Sequence, residues 1–520
     1  MQTWDQSLAE LVIAALLEPW CRPANVMPFA CRVLRTDKEF VQYLKVSIEN
    51  TSQSKYGADY LSSISKKEFP SSSLLRAILS SSPIPDVEIE MFLTSLRRNF
   101  LNLAMSVILN GSETEELDSM YCYLAQQCFI NDYIYFQTLE EINYSQQLRN
   151  KLRLAFENKQ LVPPIWMIAI ACYFPLYTIT NTKILTQQKW SDDVLRVLKQ
   201  QIQEPSEEFD LRAAIPKLTN IDSQASLAVQ KQYEENPYPR WIRLPKSSNS
   251  KLLISYFQTR FPLFRSSGLQ HDRSLEMLIA GCGTGQHSIS TSQLFKGVEI
   301  LAVDLSMASL AYAKRKTAEL DIQSINYAQA DLLKLASIGR TFDVIESVGV
   351  LHHLENPLEG WKTLLSLLRP SGLMRLGFYS ELARRDIVRV RKLISDEGVD
   401  STTQAIRDYR KKLLTFDKFQ EFGYAIYSSD FFSTSSCRDL LFHVEEHRMN
   451  LIIIEEFLQK NNLNFLGFDI DNYVIQSYKK RFPNDLSATN LEQWHIYEQE
   501  NPDTFIGMYQ FYVQRKNAYQ

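Results

Sequence analysis

The spacing of apolar positions divides the chain into two parts of different character. Between about residues 5 and 225, apolar side chains recur at three- and four-residue steps, the period of one helix face. The clearest case follows Asp86, a favourable N-cap residue with acidic side chains in the next turn. We therefore predict a helical N-terminal domain over 1–225, serving substrate binding or dimerisation. Its best-defined apolar face comprises Phe92, Leu96, Phe100, Leu103 and Val107.

From residue 276 onward, short apolar runs alternate with helical segments. Such alternation indicates a parallel sheet with helices on both faces. A helical insertion over 381–462 precedes the last two strands. We therefore predict an α/β fold over 226–520, Rossmann-like and built on a seven-stranded sheet. The predicted strands are MLIA, EILAVD, SINYAQAD, FDVIESV, GLMRLGFY, NFLGFD and the run FIGMYQFYVQ.

Composition narrows the functional classes. A chain of 520 residues with 45% apolar and 22% charged residues is typical of a soluble globular protein with at least two domains. The formal net charge of -4 does not favour binding to nucleic-acid phosphates. The seven cysteines are scattered and form no C-x-x-C pair, so we expect neither a disulfide framework nor a metal site.

No targeting or membrane segment is evident. The first twenty residues lack the basic start of a signal peptide. The most apolar stretch, 161–177, is too short to span a bilayer and contains three prolines. We therefore expect a cytoplasmic protein with no membrane span and no nucleic-acid partner.

A glycine turn, Gly281-Cys282-Gly283-Thr284-Gly285, follows the first apolar strand and opens a helix. Any tight strand-to-helix turn favours glycine, so a purely structural role stays open. However, missing side chains also let a ligand approach the backbone, and a helix start offers free N–H groups. Asp304 and Asp331 end the next two strands, where carboxylates can accept ribose hydroxyls and an adenine amino group. Ligands of open parallel sheets bind beyond these strand ends.

This set resembles the class I S-adenosylmethionine-dependent methyltransferases over about 230–380 and from 464 to the end. A nicotinamide enzyme is disfavoured, because the third glycine of its G-x-G-x-x-G motif would fall at Gln286. The resemblance implies S-adenosylmethionine as cofactor. It implies that the glycines face the methionine part, Asp304 the ribose, and Asp331 with Leu332 the adenine. The full implied set is Gly281, Cys282, Gly283, Gly285, Gln286, Asp304, Leu305, Asp331, Leu332, Glu346, Ser347 and Tyr233.

The chain departs from these relatives at one position. Many of them carry a carboxylate two residues before the first glycine, where this sequence has Ile279. We expect Gln286 or Tyr233 to supply the missing contact. The segment Tyr233–Trp241 contains two prolines that exclude a regular helix, and it is interpreted either as a lid over the cofactor or as a linker.

Longer segments are similar to a bacterial family of methyltransferases with large helical N-terminal regions. They include QYEENPYPRW, LIAGCGTGQHS and SSCRDLLFHVEEH. The two-part architecture also resembles, more loosely, the rickettsial protein-lysine methyltransferases. This resemblance implies methyl transfer to a protein lysine amine. A small-molecule or lipid acceptor, and a non-catalytic cofactor-binding interaction protein, stay open as alternatives, as does a homodimer.

A lysine acceptor must lose its proton before it is methylated, since its usual pKa is about 10.4. His352, His353 and Tyr379 follow the fourth and fifth strands and are the candidate catalytic residues. Both histidines also suit a plain helix-capping role. His443 is a further candidate for lining the acceptor pocket, although its apolar neighbours favour a core position.

Overall fold

The computed structural model describes residues 3–52, 72–110, 117–247, 249–269, 273–415 and 422–516. The chain forms two units. The first comprises Met1–Glu207, Arg240–Lys246 and Glu397–Phe442, and the second comprises Glu208–Pro239, Ser247–Asp396 and His443–Gln520. Residues 397–442, which lie within the predicted insertion, thus cluster with the helical N-terminal region. No helix among the described residues is both long enough and apolar enough to cross a membrane.

The first unit is helical, as the three- and four-residue periodicity predicts. Asp86 caps the predicted helix by accepting a hydrogen bond from the Ile89 N–H (3.1 Å). The helices up to residue 211 are α1 Gln6–Leu17, α2 Pro23–Leu34, α3 Lys38–Ser52, α4 Ser73–Leu79, α5 Val87–Asn110, α6 Ser119–Ile130, α7 Leu139–Glu157, α8 Pro164–Ala171, α9 Asp192–Leu198 and α10 Glu204–Leu211, with short 3-10 or π turns at Leu176–Thr178, Thr182–Gln187 and Lys199–Gln203.

Buried ion pairs lie in the core of this unit. Arg97 is fully buried and donates to the Glu141 carboxylate at 2.9 Å, which also accepts from the Tyr173 hydroxyl at 2.7 Å. Arg410 forms a bidentate pair with Glu90, with both N···O distances at 2.9 Å. Removing one partner of such a pair would leave a buried charge uncompensated. These residues therefore stabilise the fold of the unit.

The second unit is built on a seven-stranded sheet. Its strands are β2 Leu275–Ala280, β4 Val298–Asp304, β5 Ile325–Gln329, β6 Phe342–Val348, β7 Leu368–Phe378, β8 Leu463–Phe468 and β9 Tyr509–Arg515, while β1 Lys251–Leu252 and β3 Phe295–Lys296 form a separate pair. The strand order in the sheet is β5-β4-β2-β6-β7-β9-β8, and the prediction of a Rossmann-like seven-stranded sheet is confirmed. The sheet is mixed, because β9 runs antiparallel to both of its neighbours.

Most of the helices in this part of the chain were predicted. Four were not: Gln224–Glu235, Leu253–Arg260 and the two helices that separate β8 from β9. The first of these includes Tyr233, so the helix extends into the start of the segment Tyr233–Trp241, for which a regular helix was excluded. The helices after residue 211 are α11 Gln224–Glu235, α12 Leu253–Arg260, α13 Gln286–Leu294, α14 Met307–Glu319, α15 Pro357–Ser366, α16 Arg385–Asp396, α17 Thr403–Thr415, α18 Gly423–Tyr427, α19 Thr434–Phe442, α20 Leu451–Lys460, α21 Asn472–Arg481 and α22 Leu491–Glu500, with 3-10 turns at Arg212–Ala214, Leu332–Ile338, Leu351–His353 and Ser429–Phe432.

A buried carboxylate connects the amino ends of three neighbouring strands. Asp343, at the start of β6, accepts from both terminal nitrogens of Arg273 (2.9 and 3.1 Å) and from the Glu276 N–H in β2 (2.9 Å). Arg369, in β7, donates to the same carboxylate at 2.8 Å. These bonds lie at the opposite end of the strands from the glycine turn. They therefore stabilise the sheet and take no part in ligand binding at that turn.

The free edge of β5 is extended by a short segment that the sequence did not reveal. The Gln329 N–H donates to the Pro216 carbonyl at 2.8 Å, and the Leu218 N–H donates to the Gln329 carbonyl at 2.9 Å. Thr219 then accepts from the Asp331 N–H through its hydroxyl oxygen at 2.7 Å. This segment therefore fixes the backbone at one of the two predicted carboxylates.

Candidate functional site

The glycine turn lies at the carboxyl end of β2 and leads into α13. The Gly281 and Cys282 N–H groups both donate to the Val303 carbonyl of β4, at 2.8 and 3.0 Å. Gly281, Gly283 and Gly285 all have positive φ (+79°, +51° and +82°), which glycine adopts without steric cost. Cys282 is buried, and burial raises the pKa of its thiol well above the usual value. The turn thus requires its glycines on conformational grounds alone.

Asp304 ends β4 beside this turn. Its carboxylate accepts from the Gly283 N–H at 2.8 Å and from the Ser306 N–H at 2.9 Å, through different oxygens. Burial raises the pKa of Asp304; the Ser306, Gly283 and Leu305 N–H groups oppose that shift, and the charge of Glu234 adds to it. A carboxylate has about four lone-pair sites, so Asp304 keeps acceptor capacity beyond these bonds.

Asp331 caps the 3-10 turn after β5, since its carboxylate accepts from the Leu333 N–H at 3.0 Å. Leu332 is buried in the hydrophobic core of the sheet. Between the two aspartates, the Leu305 carbonyl accepts from the side-chain amides of Gln230 (3.3 Å) and Gln329 (2.8 Å). Asp304, Leu305 and Asp331 therefore lie at the carboxyl ends of adjacent parallel strands, as predicted.

The segment from Tyr233 to Pro239 runs beside the turn and the end of β4. The Thr284 N–H donates to the Tyr238 carbonyl at 3.3 Å, and the Thr284 hydroxyl donates to the Pro239 carbonyl. The Tyr233 carbonyl accepts from the Ser306 hydroxyl at 3.0 Å. The neighbouring Glu234 carboxylate accepts from N–H groups at the start of α14. These contacts attach the segment to the glycine turn and to the start of α14, and its role as a lid over the cofactor stays a prediction.

Glu346 and Ser347 lie in β6, next to β2. Ser347 is fully buried, and its hydroxyl donates to the Ala280 carbonyl at 3.2 Å. Glu346 is in register with Ile279, the position for which the resemblance led us to expect a carboxylate. Paired residues of a parallel sheet point to the same face, so Glu346 brings a carboxylate beside the position that lacks one. His287, the second residue of α13 after Gln286, is hydrogen-bonded to it.

Four aromatic rings cluster beyond the ends of β6 and β7. His352 stacks on Tyr379 with ring centroids 3.9 Å apart, and His353 stacks on His443 at 3.6 Å. The two adjacent histidines contact each other edge to face at 4.3 Å. Tyr233 approaches His443 at 5.8 Å. The three candidate catalytic residues, His352, His353 and Tyr379, thus lie together, and His443 joins them.

The surroundings of His352 in this cluster disfavour its protonated form. His352 has no exposed surface, and burial lowers its pKa well below the usual value. The charges of His353, Arg384 and His443 lower the pKa further. Neither ring nitrogen makes a hydrogen bond of good geometry to the described residues, although the Gly377 backbone lies close. The His352 imidazole is therefore neutral at physiological pH.

Arg384 lies against the Tyr379 ring of this cluster. Its guanidinium lies 3.6 Å from the centroid of the Tyr379 ring and donates to the Glu446 carboxylate at 2.6 Å. Burial acts to raise the pKa of Glu446, but Arg384 and Arg391 outweigh it, and the net pKa is lowered. An ionised pair is thus held against the ring stack.

Several residues near the site were not predicted from the sequence. They are His287, Thr219, Glu234, Arg384 and Glu446. Only His287 carried a local signal, because it immediately follows the glycine turn at a helix start. The others reach the site through contacts between segments that are distant in sequence.

Comparison with known proteins agrees with this geometry. Residues 278–374 match the protein family described as a methyltransferase domain. An uncharacterised protein of Synechococcus sp. is 29% identical over 199 residues, covering 37% of this chain and 48% of the relative. A ubiquinone biosynthesis O-methyltransferase of Parvibaculum lavamentivorans is 35% identical over 100 residues, covering 19% of this chain and 38% of the relative. The chain thus spans less than half the length of these relatives.

Among solved structures, the protein is similar to PKMT2 from Rickettsia typhi in complex with AdoHcy. The identity is 18%, the TM-score is 0.37, and the similarity covers 51% of this chain and 53% of that chain.

The strand order, the glycine turn and the matched family together define the class of the second unit. It contains a class I S-adenosylmethionine-dependent methyltransferase domain. S-adenosylmethionine is the cofactor of this domain, as the sequence analysis predicted.

Proposed function

We propose that the whole chain is a methyltransferase that transfers the methyl group of S-adenosylmethionine to a protein lysine amine. The observation that supports the cofactor site most strongly is the placement of Asp304 and Asp331 at adjacent strand ends beside the glycine turn. In this proposal, Asp304 accepts hydrogen bonds from the ribose hydroxyls, and Asp331 with Leu332 holds the adenine. The turn and Glu346 border the methionine part.

The two aspartates suit an adenosine in their hydrogen-bonding capacity as well as in their position. Asp304 keeps acceptor capacity for the ribose, and its orientation is fixed by backbone N–H groups. Only one Asp331 oxygen is used by the cap of the 3-10 turn. The Leu305 backbone between them is fixed by two glutamine amides.

S-adenosylmethionine supplies a methyl group on a sulfonium; the bond from carbon to the acceptor nitrogen forms as the bond to sulfur breaks, and the electron pair of that bond stays on sulfur. The protein must align the acceptor and exclude water. It must also receive the amine without its proton. The buried ring cluster of His352, His353, Tyr379 and His443 suits that second task.

The electrostatics of that ring cluster favour an amine as the methyl acceptor. Burial and the charge of Arg384 lower the pKa of His352. The same two effects would lower the pKa of a lysine ammonium placed beside the rings. A lysine is mostly charged in water, so such a shift favours the nucleophilic neutral form. The neutral His352 imidazole can then accept a hydrogen bond from the amine.

A small-molecule acceptor is the second candidate. It is favoured by the 35% identity to a ubiquinone biosynthesis O-methyltransferase, although that match covers only 19% of this chain. A non-catalytic cofactor-binding protein is the third candidate, and intact cofactor residues argue against it.

Methyl transfer to lysine is tested with methyl-labelled S-adenosylmethionine. The purified chain is incubated with lysate of its source cells, and labelled products are separated by size and analysed by mass spectrometry. We expect label on lysine side chains of protein. Label confined to the low-molecular-weight fraction would favour the small-molecule acceptor, and no transfer despite cofactor binding would favour the non-catalytic protein.

His352→Phe is expected to reduce methyl transfer about 100-fold, within the usual range for a positioned proton-transfer group. The substitution preserves a planar ring against Tyr379 but removes both ring nitrogens. Binding of S-adenosylhomocysteine, measured by calorimetry, should be unchanged, because His352 is not part of the proposed cofactor site. Full activity in the variant would remove His352 from the list of catalytic residues.

A further inference from the structure

A groove opens beside β8, at the edge of the sheet that is farthest from the proposed adenosine contacts. Those contacts lie at the ends of β4 and β5, whereas β8 is the last strand at the other edge. The groove has a volume of about 320 Å³, at the lower end of the range for small-molecule pockets. Its lining comes from β8, the end of α12 and the helices α21 and α22, all within the second unit.

The inner part of this groove is apolar. Its buried side chains, each with at most 6% of its surface exposed, are Phe261, Leu466, Phe468, Ala488 and Trp494. The Trp494 indole is fixed, because it stacks on the Tyr478 ring at 3.8 Å and its Nε1 donates to the Ala488 carbonyl at 2.9 Å. The Phe261 ring lies so close to Gly467 that an added Cβ would come within 3.3 Å of it. An apolar group that entered the groove would thus be removed from water by fixed apolar walls.

The outer part of the groove is polar and positively charged. Arg260 and Lys479 line it, together with the side-chain amides of Asn472 and Gln476. Lys479 has no ion-pair partner among the residues that the structure describes. Arg260 donates through Nη2 to Asp469 at 2.6 Å, and its Nε and Nη1 make no hydrogen bond to the described residues. Both side chains therefore keep donors for a ligand.

The carboxylates beside the groove are already engaged. Asp469 accepts from Arg260 at 2.6 Å and from Arg375 at 2.8 Å, so two guanidinium groups share it. Asp471 is the N-cap of α21 and accepts from a backbone N–H at 3.1 Å. The lining itself, as far as the structure describes it, contains two cations and no carboxylate. Charge complementarity therefore favours a ligand with a negative group.

We propose that this groove binds a small amphiphilic monocarboxylate, with its apolar chain against the buried side chains and its carboxylate at Lys479 and Arg260. The carboxylate would accept charge-assisted hydrogen bonds from both cations. A water-sized group occupies about 30 Å³, so the groove holds a fatty carboxylate of roughly eight to ten carbons. The inference goes beyond the proposed function and does not depend on it, because it uses neither the cofactor nor the methyl acceptor.

The first test compares three probes that share one apolar chain. They are octanoate, octanol and octylammonium, and their binding to the purified full chain is measured by titration calorimetry. We expect one octanoate per chain, with the other two probes binding at least about tenfold more weakly, because they form no charge-assisted hydrogen bond with the cations. Equal affinity for octanoate and octanol, or no binding of octanoate, would overturn the inference.

A pair of neighbouring lysines tests the location of the site. Lys479→Met keeps an apolar stem but removes the charge, and it should weaken octanoate binding about tenfold. Lys480→Met is the matched control, because Lys480 is exposed and does not line the groove. Its affinity for octanoate should be unchanged. Equal weakening by both variants would show a general effect of net charge and would overturn the proposed site.

A third variant distinguishes another occupant of the groove. Ile475, a lining residue, is replaced by tryptophan, and Ile475→Trp should abolish octanoate binding by filling the groove. If this variant folds poorly, as judged by its melting temperature, the two lysine variants still decide the question. A dimer in sedimentation that Ile475→Trp dissociates, without octanoate binding, would overturn the inference in favour of a second copy of the chain. All variants that fold should bind S-adenosylmethionine normally, so failure of cofactor binding by the unsubstituted protein would contradict the proposed function alone.

Discussion

Asp304→Ala is expected to raise the dissociation constant for S-adenosylmethionine about 100-fold or more, because hydrogen bonds to a charged group contribute about 1.5–3 kcal/mol each. In the proposed site the carboxylate accepts from both ribose hydroxyls. Its present partners, the Gly283 and Ser306 N–H groups, hold it in place at 2.8 and 2.9 Å. The measurement is calorimetric titration of the purified variant with S-adenosylmethionine.

The same variant also removes two structural hydrogen bonds, so its melting temperature must be measured without ligand. Asp304→Asn provides an isosteric comparison that keeps one acceptor oxygen. Glu299→Ala is the matched control, because Glu299 is an exposed acidic residue at the other end of the same strand. Unchanged affinity in a folded Asp304→Ala protein would rule out ribose binding by this carboxylate.

Gly283→Ala is expected to destabilise the second unit by about 3 kcal/mol, from left-handed strain and overpacking together. It should also weaken cofactor binding about tenfold or more. A Cβ on Gly283 would lie 2.6 Å from the Tyr238 carbonyl oxygen, a backbone atom that cannot move away without displacing the segment. The Thr284 N–H donates to that same oxygen, so the variant would break this contact too.

The variant Gly297→Ala separates backbone strain from crowding, the two causes of the expected destabilisation. Gly297 also has positive φ (+72°), but a Cβ there would meet nothing within 4 Å. Both variants carry the strain of a left-handed alanine, about 1–2 kcal/mol, and only Gly283→Ala adds crowding. Thermal denaturation and calorimetry should therefore show a larger loss of stability for Gly283→Ala, with loss of cofactor affinity confined to it. Equal effects would mean that the close approach of Tyr238 is unimportant.

Much of the fold could be predicted because its signals are local. Buried parallel strands are continuous apolar runs, and β6 begins and ends at the predicted residues, Phe342 and Val348. The antiparallel direction of β9 was missed, because strand direction depends on the path of the intervening chain. That intervening chain contains the helices Asn472–Arg481 and Leu491–Glu500, which were missed as well. The edge segment at Pro216–Thr219 was also missed, since its pairing with Gln329 joins residues more than a hundred positions apart.

The residues of the candidate site also divide into those with a local sequence signal and those placed by contacts between distant segments. Asp304 and Asp331 could be singled out because a strand end is visible in the sequence. The roles of Arg384 and Glu446 depend on a ring stack assembled from several segments, which periodicity does not reveal. The departure at Ile279 was visible in the sequence, but the carboxylate in register with it, Glu346, required the pairing of β2 with β6.

A crystal structure of the full chain with S-adenosylhomocysteine tests the central claim most directly. The account predicts one ligand per chain, with its ribose hydroxyls within hydrogen-bonding distance of Asp304, its adenine at Asp331 and its amino-acid part above the glycine turn. Density for the ligand elsewhere, or with the adenine and amino-acid ends exchanged, would contradict it.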